Sequence, residues 1–552
     1  MNKLSQIKQH LKLKEIDYYL VNKNNEYLNE FVEKEDNSLF SISNFTGSMG
    51  YGLISRNFQY LYIDGRYTQQ AAIQSKNYKI KNIHFLKKDL MKLNKLKKKI
   101  LIDPKKFSVN FFKNFNLKYF IFLSENKFQA NKKEDIFFLK KKYSGANSDE
   151  KIKKVINFLK LKYDEGFLFT SPENIGWLTN IRSKDKKYSK IYNCYALLKN
   201  KKLYLYSSQK INFENQNIIC QKLKEIEKTL INLSKIKIDP KYTSLFFLNL
   251  FKKNNVKISF ADDPINKFKS IKNITEITNL KIAHIFDGVA YVKFLKWLYD
   301  NKLKKISEID CQNKLEFFKK KNNFYLGPSF ETISALNKNA SIIHYNAKNY
   351  EKSFLKRNDM FLLDAGSQYL FGTTDMTRTI SLGKQNKFRK TIYTLVLKGH
   401  IAVSTFKINN NTTGQIIDRS ARKYLKQKNF DYEHGTGHGV GYLSNVHENP
   451  PTISKLSNNK FQINQVVSNE PGFYKKNDFG IRLENLIYLD KNKRFNNLTL
   501  VPFDNSLIAK SLLTSKEKRW LNNYHENVYE KINKFLNNNE KKFLRKICSK
   551  IN

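Results

Sequence analysis

Four acids and a glycine-rich histidine loop carry most of the chemistry in this chain. The apolar run Phe361-Leu362-Leu363 leads into Asp364-Ala365-Gly366, and a β-prone stretch resumes across Gly372-Thr373-Thr374-Asp375. A hairpin turning between Tyr369 and Leu370 sets Asp364 opposite Asp375. Like charges facing each other across a ladder are destabilising, so the pairing calls for a compensating cation. The arrangement recurs downstream. Val466-Val467-Ser468-Asn469-Glu470 ends in an acid, Pro471-Gly472 follows, and Gly480-Ile481-Arg482-Leu483-Glu484-Asn485 returns. A turn centred on Asn477 sets Glu470 opposite Glu484. Between the hairpins lies His434-Gly435-Thr436-Gly437-His438-Gly439-Val440-Gly441, whose glycines let backbone and imidazoles approach a site closely. With Ile343-His344-Tyr345 and Val446-His447-Glu448, these segments hold four of the nine histidines.

Taken singly, each residue has a plainer reading. An acid at a strand end caps a turn, a loop histidine bonds water, and Arg378 and Arg482 neutralise nearby carboxylates. Four carboxylates and one imidazole in two mirrored hairpins and a loop instead form a hard, oxygen-rich donor set. It suits Mn²⁺, Co²⁺ or Fe²⁺ better than a tetrahedral thiolate zinc site. Two such ions held roughly 3.5–4 Å apart share a water and make hydroxide near neutral pH. One ion polarises a carbonyl while the bridging oxygen attacks it, and neutral His344 and His447 donate to the oxyanion. Amide hydrolysis is the reaction class.

The elements that must position these groups are legible as periodicity. Leu4, Ile7 and Leu11 mark a helix, and Asp17–Val21 and Phe58–Ile63 mark strands, the second ending in an Asp64-Gly65 turn. The pattern lapses around Ser144–Ser148, and a helix begins near Glu150. Gly166–Thr170, Tyr195–Leu198 and Leu203–Tyr206 repeat the earlier rhythm without a sequence repeat. A long helix begins near Asn273, with Ala283, Phe286, Ala290, Phe294 and Trp297 on one face. In the last part of the chain a Thr514–Glu517 capping box opens another helix, whose apolar stripe is Leu521, Tyr524, Val528, Ile532 and Phe535. Three domains are expected: α/β over 1–143, α/β over 144–270, and a catalytic α+β domain over 271–552.

The chain has 552 residues, 40% of them hydrophobic, which excludes wholesale disorder. Its net charge of +51 comes from lysines spread among asparagines along the whole length. That reads as a solvated surface and not as a specific nucleic-acid patch. Four dispersed cysteines without a C-x-x-C pair suggest neither a zinc–thiolate site nor a disulfide framework. No apolar run approaches the ~18 residues of a membrane span, and Met1–Gln6 opens no signal peptide. No membrane partner and a cytoplasmic location are expected.

The site segments resemble the Xaa-Pro aminopeptidases (aminopeptidase P) of three-domain cytosolic type, among the pita-bread metallopeptidases. So do Phe45–Gly50 and Ile63–Tyr67 in the first domain, Ala283–Ala290 and Ser329–Ala335. The resemblance implies a pita-bread (creatinase/aminopeptidase) catalytic domain that removes an N-terminal residue preceding proline. It implies that Asp364, Asp375, His438, Glu470 and Glu484 bind two divalent ions, with Asp375 and Glu484 bridging. The expected ion is Mn²⁺, with Co²⁺, Fe²⁺ or Zn²⁺ as alternatives. It further implies that His344 and His447 contact substrate at the scissile bond and that His434 lines the proline pocket. Arg482 is grouped with these substrate-binding residues, and a homodimer is expected. The sequence departs from the family at Leu336–Ala340, at Asn449 and in the lysine-rich stretch from Arg182 to Ile191. A prolidase-like Xaa-Pro dipeptidase and a non-catalytic pita-bread binding module are the alternatives.

Overall fold

The strand–helix rhythm of the first half folds into two six-stranded sheets. The computed structural model describes residues 3–123, 133–302 and 304–552. Met1 and Asn2, where the reading of the N-terminus begins, lie outside them. The chain divides into one unit of Met1–Lys140, Ala146–Asp185 and Ile191–Ile265, and another of Lys141–Gly145, Lys186–Lys190 and Asn266–Asn552.

In the first unit, one sheet runs Lys79–Asn82, Gln59–Ile63, Tyr51–Ser55, Tyr18–Asn22, Ile100–Ile102, Phe120–Phe122. The other runs Ile218–Lys222, Lys202–Ser207, Tyr195–Lys199, Glu165–Phe169, Lys235–Ile238, Lys257–Phe260. In both, the second to fourth strands pair antiparallel and every other neighbour pairs parallel. The rhythm seen without a sequence repeat is thus a shared topology. Asn147 and Glu150 form the capping box of helix Ser148–Leu159, at the position where the pattern restarts.

In the second unit, Asn273 and Glu276 form the capping box of helix Ile274–Asn301, which buries Ala283, Ala290 and Phe294. Strand Met360–Tyr369 pairs with Ile333–Leu336 and Tyr325–Pro328 along one edge and with Gly372–Ser381 along the other. Every residue of the two long strands is buried. A five-stranded sheet follows in the order Glu448–Ile453, Gly437–Gly439, Val466–Asn469, Asn485–Leu489, Phe495–Asn497. Gly472–Lys475 and Phe479–Arg482 make a separate ribbon. Ile392, Val396 and Leu397 of helix Lys387–Ser404 pack with Ile481, Leu483, Leu521 and Val528 into one core.

The Thr514–Glu517 capping box is present, but helix Ser515–Ile532 ends at Ile532, before the last residue of the expected stripe. Phe535 lies on a following single turn and is 48% exposed, so it is not part of the packed face. The four cysteines are free thiols. Among the described residues no helix is long and apolar enough to cross a membrane.

Candidate metal centre

The first acidic hairpin is an unbroken ladder in which Asp364 pairs with Thr377 and Gly366 with Asp375. Its connection is Leu370 and Phe371, so the expected turn between Tyr369 and Leu370 and the expected face-to-face pairing are both corrected. Asp364 and Asp375 are diagonal neighbours that share a sheet face, because residues two apart on a strand point the same way. The offset keeps the two charges on one side while sparing them direct opposition. Gly372 sets the later turn with φ +121°, a conformation natural to glycine, and a Cβ there would lie 2.7 Å from Leu280 Cδ2.

The second hairpin has the expected register. Asn469 pairs with Asn485, and Gly472 with Arg482, around a turn at Asn477. Glu470 and Glu484 fall opposite each other in the interruption between these two ladders. Their amides are used elsewhere: Glu470 N donates to Thr436 O at 2.8 Å, and Glu484 N to Thr377 O at 3.0 Å. The break thereby ties the second hairpin to the histidine loop and to the first hairpin.

These connections gather the acids around His438. Its Nε2 lies 3.4 Å from Asp375 Oδ2 and 3.7 Å from Glu470 Oε1. Donor atoms of Asp375, His438 and Glu484 all lie within 4.8 Å of one another. Burial pushes the Glu484 carboxyl well above the usual carboxylate range, and the charges of Asp375, Glu470 and Asp364 add to it. Burial likewise raises Glu470, with His438 and Arg482 opposing, and Asp364, with Arg482 opposing and Asp375 reinforcing. At His438 burial disfavours charge, but the hydrogen bond to Asp375 and the charge of Glu470 outweigh it and lift the imidazole to about 9.

The donor set fits divalent cations. Asp364 Oδ1 is buried and has no hydrogen-bond partner among the described residues, while Oδ2 accepts from Arg482 Nη2 at 2.5 Å. His438 Nδ1 is engaged with Gly439 O at 2.8 Å, which directs Nε2 at the acids. The negative field that favours a proton on Nε2 would favour a divalent cation there instead, with His438, Asp375 and Glu470 as its holders.

Around these groups, Arg482 also donates through Nη1 to Tyr474 Oη at 2.7 Å and through Nε to Thr377 Oγ1 at 3.2 Å. Thr377 Oγ1 donates to Glu484 Oε2 at 2.7 Å. His434 gives Nδ1 to Gly435 O at 2.7 Å and meets Tyr474 Oη through Nε2 at 2.8 Å. The exposed His447 ring packs against His438 with centroids 4.3 Å apart. His344 is half-buried beside Ile343, whose carbonyl lies 3.5 Å from Arg482 Nη2.

Arg378 neutralises no acid in the described contacts. It is fully buried and donates to the carbonyls of Thr377, Glu484, Val501 and Pro502, to Asn485 Oδ1 and to Tyr524 Oη. Sequence reasoning missed Thr377 and Tyr474. The period-two rule puts Thr377 on the same face as Asp375, so that signal was available. Tyr474 gives none without the folded ribbon.

The chain belongs to metallopeptidase family M24. The profile of that family matches residues 278–491 and that of its C-terminal region 493–551, while creatinase/prolidase N-terminal domain profiles match 3–124 and 127–276. Its fold is therefore α/β N-terminal domains followed by a pita-bread domain.

Similarity extends along nearly the whole chain. A probable Xaa-Pro aminopeptidase P of Laccaria bicolor is 32% identical over 599 residues, covering 99% of this chain and 93% of the relative. Xaa-Pro aminopeptidase 1 of Dictyostelium discoideum is 32% identical, covering 96% and 92%. The crystal structure of an X-prolyl aminopeptidase from Caenorhabditis elegans, described as a cytosolic enzyme with a di-nuclear active site, superposes with TM-score 0.88. It is 27% identical and covers 97% of this chain and 95% of its own. A prolidase of Pyrococcus horikoshii superposes with TM-score 0.54 at 25% identity, over 64% of this chain and 99% of its own.

Proposed function

We propose that this chain is an Xaa-Pro aminopeptidase, releasing the N-terminal residue of peptides whose second residue is proline. The reading rests above all on the convergence of Asp364, Asp375, His438, Glu470 and Glu484, in a chain that is similar to Xaa-Pro aminopeptidases from end to end. Two divalent cations held by these five side chains, Mn²⁺ foremost and Co²⁺, Fe²⁺ or Zn²⁺ as alternatives, supply a water of lowered pKa and a Lewis acid.

The protein's own groups do the rest. Arg482 fixes one oxygen of Asp364 and leaves the other for the cation. Thr377 orients Glu484 in the same way, and Gly439 O orients His438. Exposed His447 and half-buried His344 donate to the peptide at the scissile carbonyl. His434, held by Tyr474, lines the wall against the proline ring. An Xaa-Pro bond has no N–H, so the site needs no acceptor there. We assign the N-terminal α/β domains to 1–143 and 144–270 and the catalytic domain to 271–552, with a cytoplasmic homodimer as the working form.

A Xaa-Pro dipeptide and a Xaa-Pro-Xaa tripeptide, assayed side by side with Mn²⁺, test the reading. Faster cleavage of the tripeptide is expected. Preference for the dipeptide would make the chain a prolidase. Metal binding without hydrolysis of either would make it a binding module.

A further inference from the structure

Directly after His447, Glu448 is 2% exposed and is held by two buried lysines. Lys272 Nζ donates to Oε1 at 2.6 Å and Lys269 Nζ to Oε2 at 3.1 Å, and Lys272 Nζ also donates to Lys269 O at 2.7 Å. Two ammoniums sharing one carboxylate in the interior are expensive to desolvate, and apolar residues of equal volume often serve stability as well or better. None of the three is among the five donors of the metal centre. Their arrangement is explained by what they hold.

Glu448 pairs with Gly439, the neighbour of His438, and regular pairing resumes only at Thr452 opposite His438. Asn449, Pro450 and Pro451 bulge out between, so the ladder alone does not fix the chain where it enters this strand. Gly439 allows the close approach, since a Cβ there would lie 2.8 Å from Pro451 Cδ. Neighbouring residues of an extended chain point to opposite sides. Glu448 drawn inward by the lysines turns His447 outward, where its ring meets His438.

We propose that Glu448, clamped by Lys269 and Lys272, is a positioning residue that holds the His447 ring at the scissile bond. The inference rests on the aminopeptidase reading above. It is tested by a double-mutant cycle in the full-length, Mn²⁺-loaded protein: wild type, Glu448→Gln, His447→Ala and the double variant. The readouts are kcat and KM for a Xaa-Pro-Xaa tripeptide, with metal content measured alongside.

Glu448→Gln is expected to lower kcat by about 10- to 100-fold, in the range of groups that orient active-site ligands, with KM and bound metal little changed. In the His447→Ala background the same substitution should cost nothing more. Independent, multiplying losses would overturn the proposal, as would full activity in Glu448→Gln. Should Glu448→Gln fail to fold, Lys269→Met leaves Lys272 in place and carries the same cycle, with a smaller loss and the same non-additivity expected. An inactive wild type would reject the aminopeptidase reading itself. An active wild type weakened by His447→Ala but indifferent to Glu448→Gln would reject this inference alone.

Discussion

The two acidic hairpins bring paired carboxylates to one space by different constructions. In the first, ten residues on each strand pair without interruption, and the acids are kept from direct opposition by a two-residue offset. In the second, the acids do face each other, but at the place where the ladder breaks. Pro471 has no N–H to give at that break, and the amides of Glu470 and Glu484 bond to Thr436 and Thr377 instead. The first hairpin is a rigid plate, and the second is the fastener that joins the plate to the histidine loop. Electrostatic repulsion is handled by register in one and by a gap in the other.

The comparison is broken most severely by removing an acid from either side. Asp375→Asn and Glu484→Gln should each lose bound metal and reduce peptide hydrolysis to background, read by elemental analysis and a tripeptide assay. Retained metal and hydrolysis in both would mean that the hairpins serve no common site. Thr377→Val keeps the shape of the plate but removes the hydroxyl shared by Arg482 and Glu484. Activity should fall by about 10- to 100-fold with the fold intact, as for other groups that orient metal ligands.

Gly366→Ala tests how tightly the plate is packed, because a Cβ at that position would run into Ser329 Oγ and Thr374 O. Overpacking of this kind should cost about 1–3 kcal/mol, measurable by denaturant unfolding.

The last effect lies away from both hairpins and shows only as pH falls, at His525. This ring accepts from Phe503 N–H at 3.1 Å, and burial, with Arg378 nearby, pushes it down to about 3. The unfolded chain takes up the proton near pH 6.5, which the folded protein refuses, so stability is present above that pH and is lost as pH falls toward 3. His525→Gln should flatten the stability profile between pH 6 and 4 by up to about 1.4 kcal/mol per pH unit. An unchanged slope would show that the ring is protonated in the folded state.

Much of this was legible in the sequence because local signals agreed with the fold. The capping residues Asn147, Asn273 and Thr514 open helices where the pattern indicates, and the second hairpin follows simple register arithmetic. The first hairpin did not, because the assumption that matched acids must oppose each other overrode the turn that Gly372 dictates. Phe535 was misread because periodicity continues past the end of a helix while the backbone does not. Arg378 illustrates a deeper limit. Its partners are mostly backbone carbonyls from distant segments, and no pattern of residue types announces those. The Glu448 clamp is of the same kind, joining residues 176 and 179 positions apart.

Anomalous diffraction at the manganese edge from crystals grown with Mn²⁺ tests the central claim most directly. Two peaks are expected, both bounded by Asp375 and Glu484, one reached by Asp364 and the other by His438 and Glu470. No peak between the hairpins, or peaks bound only to surface acids elsewhere, would contradict the account.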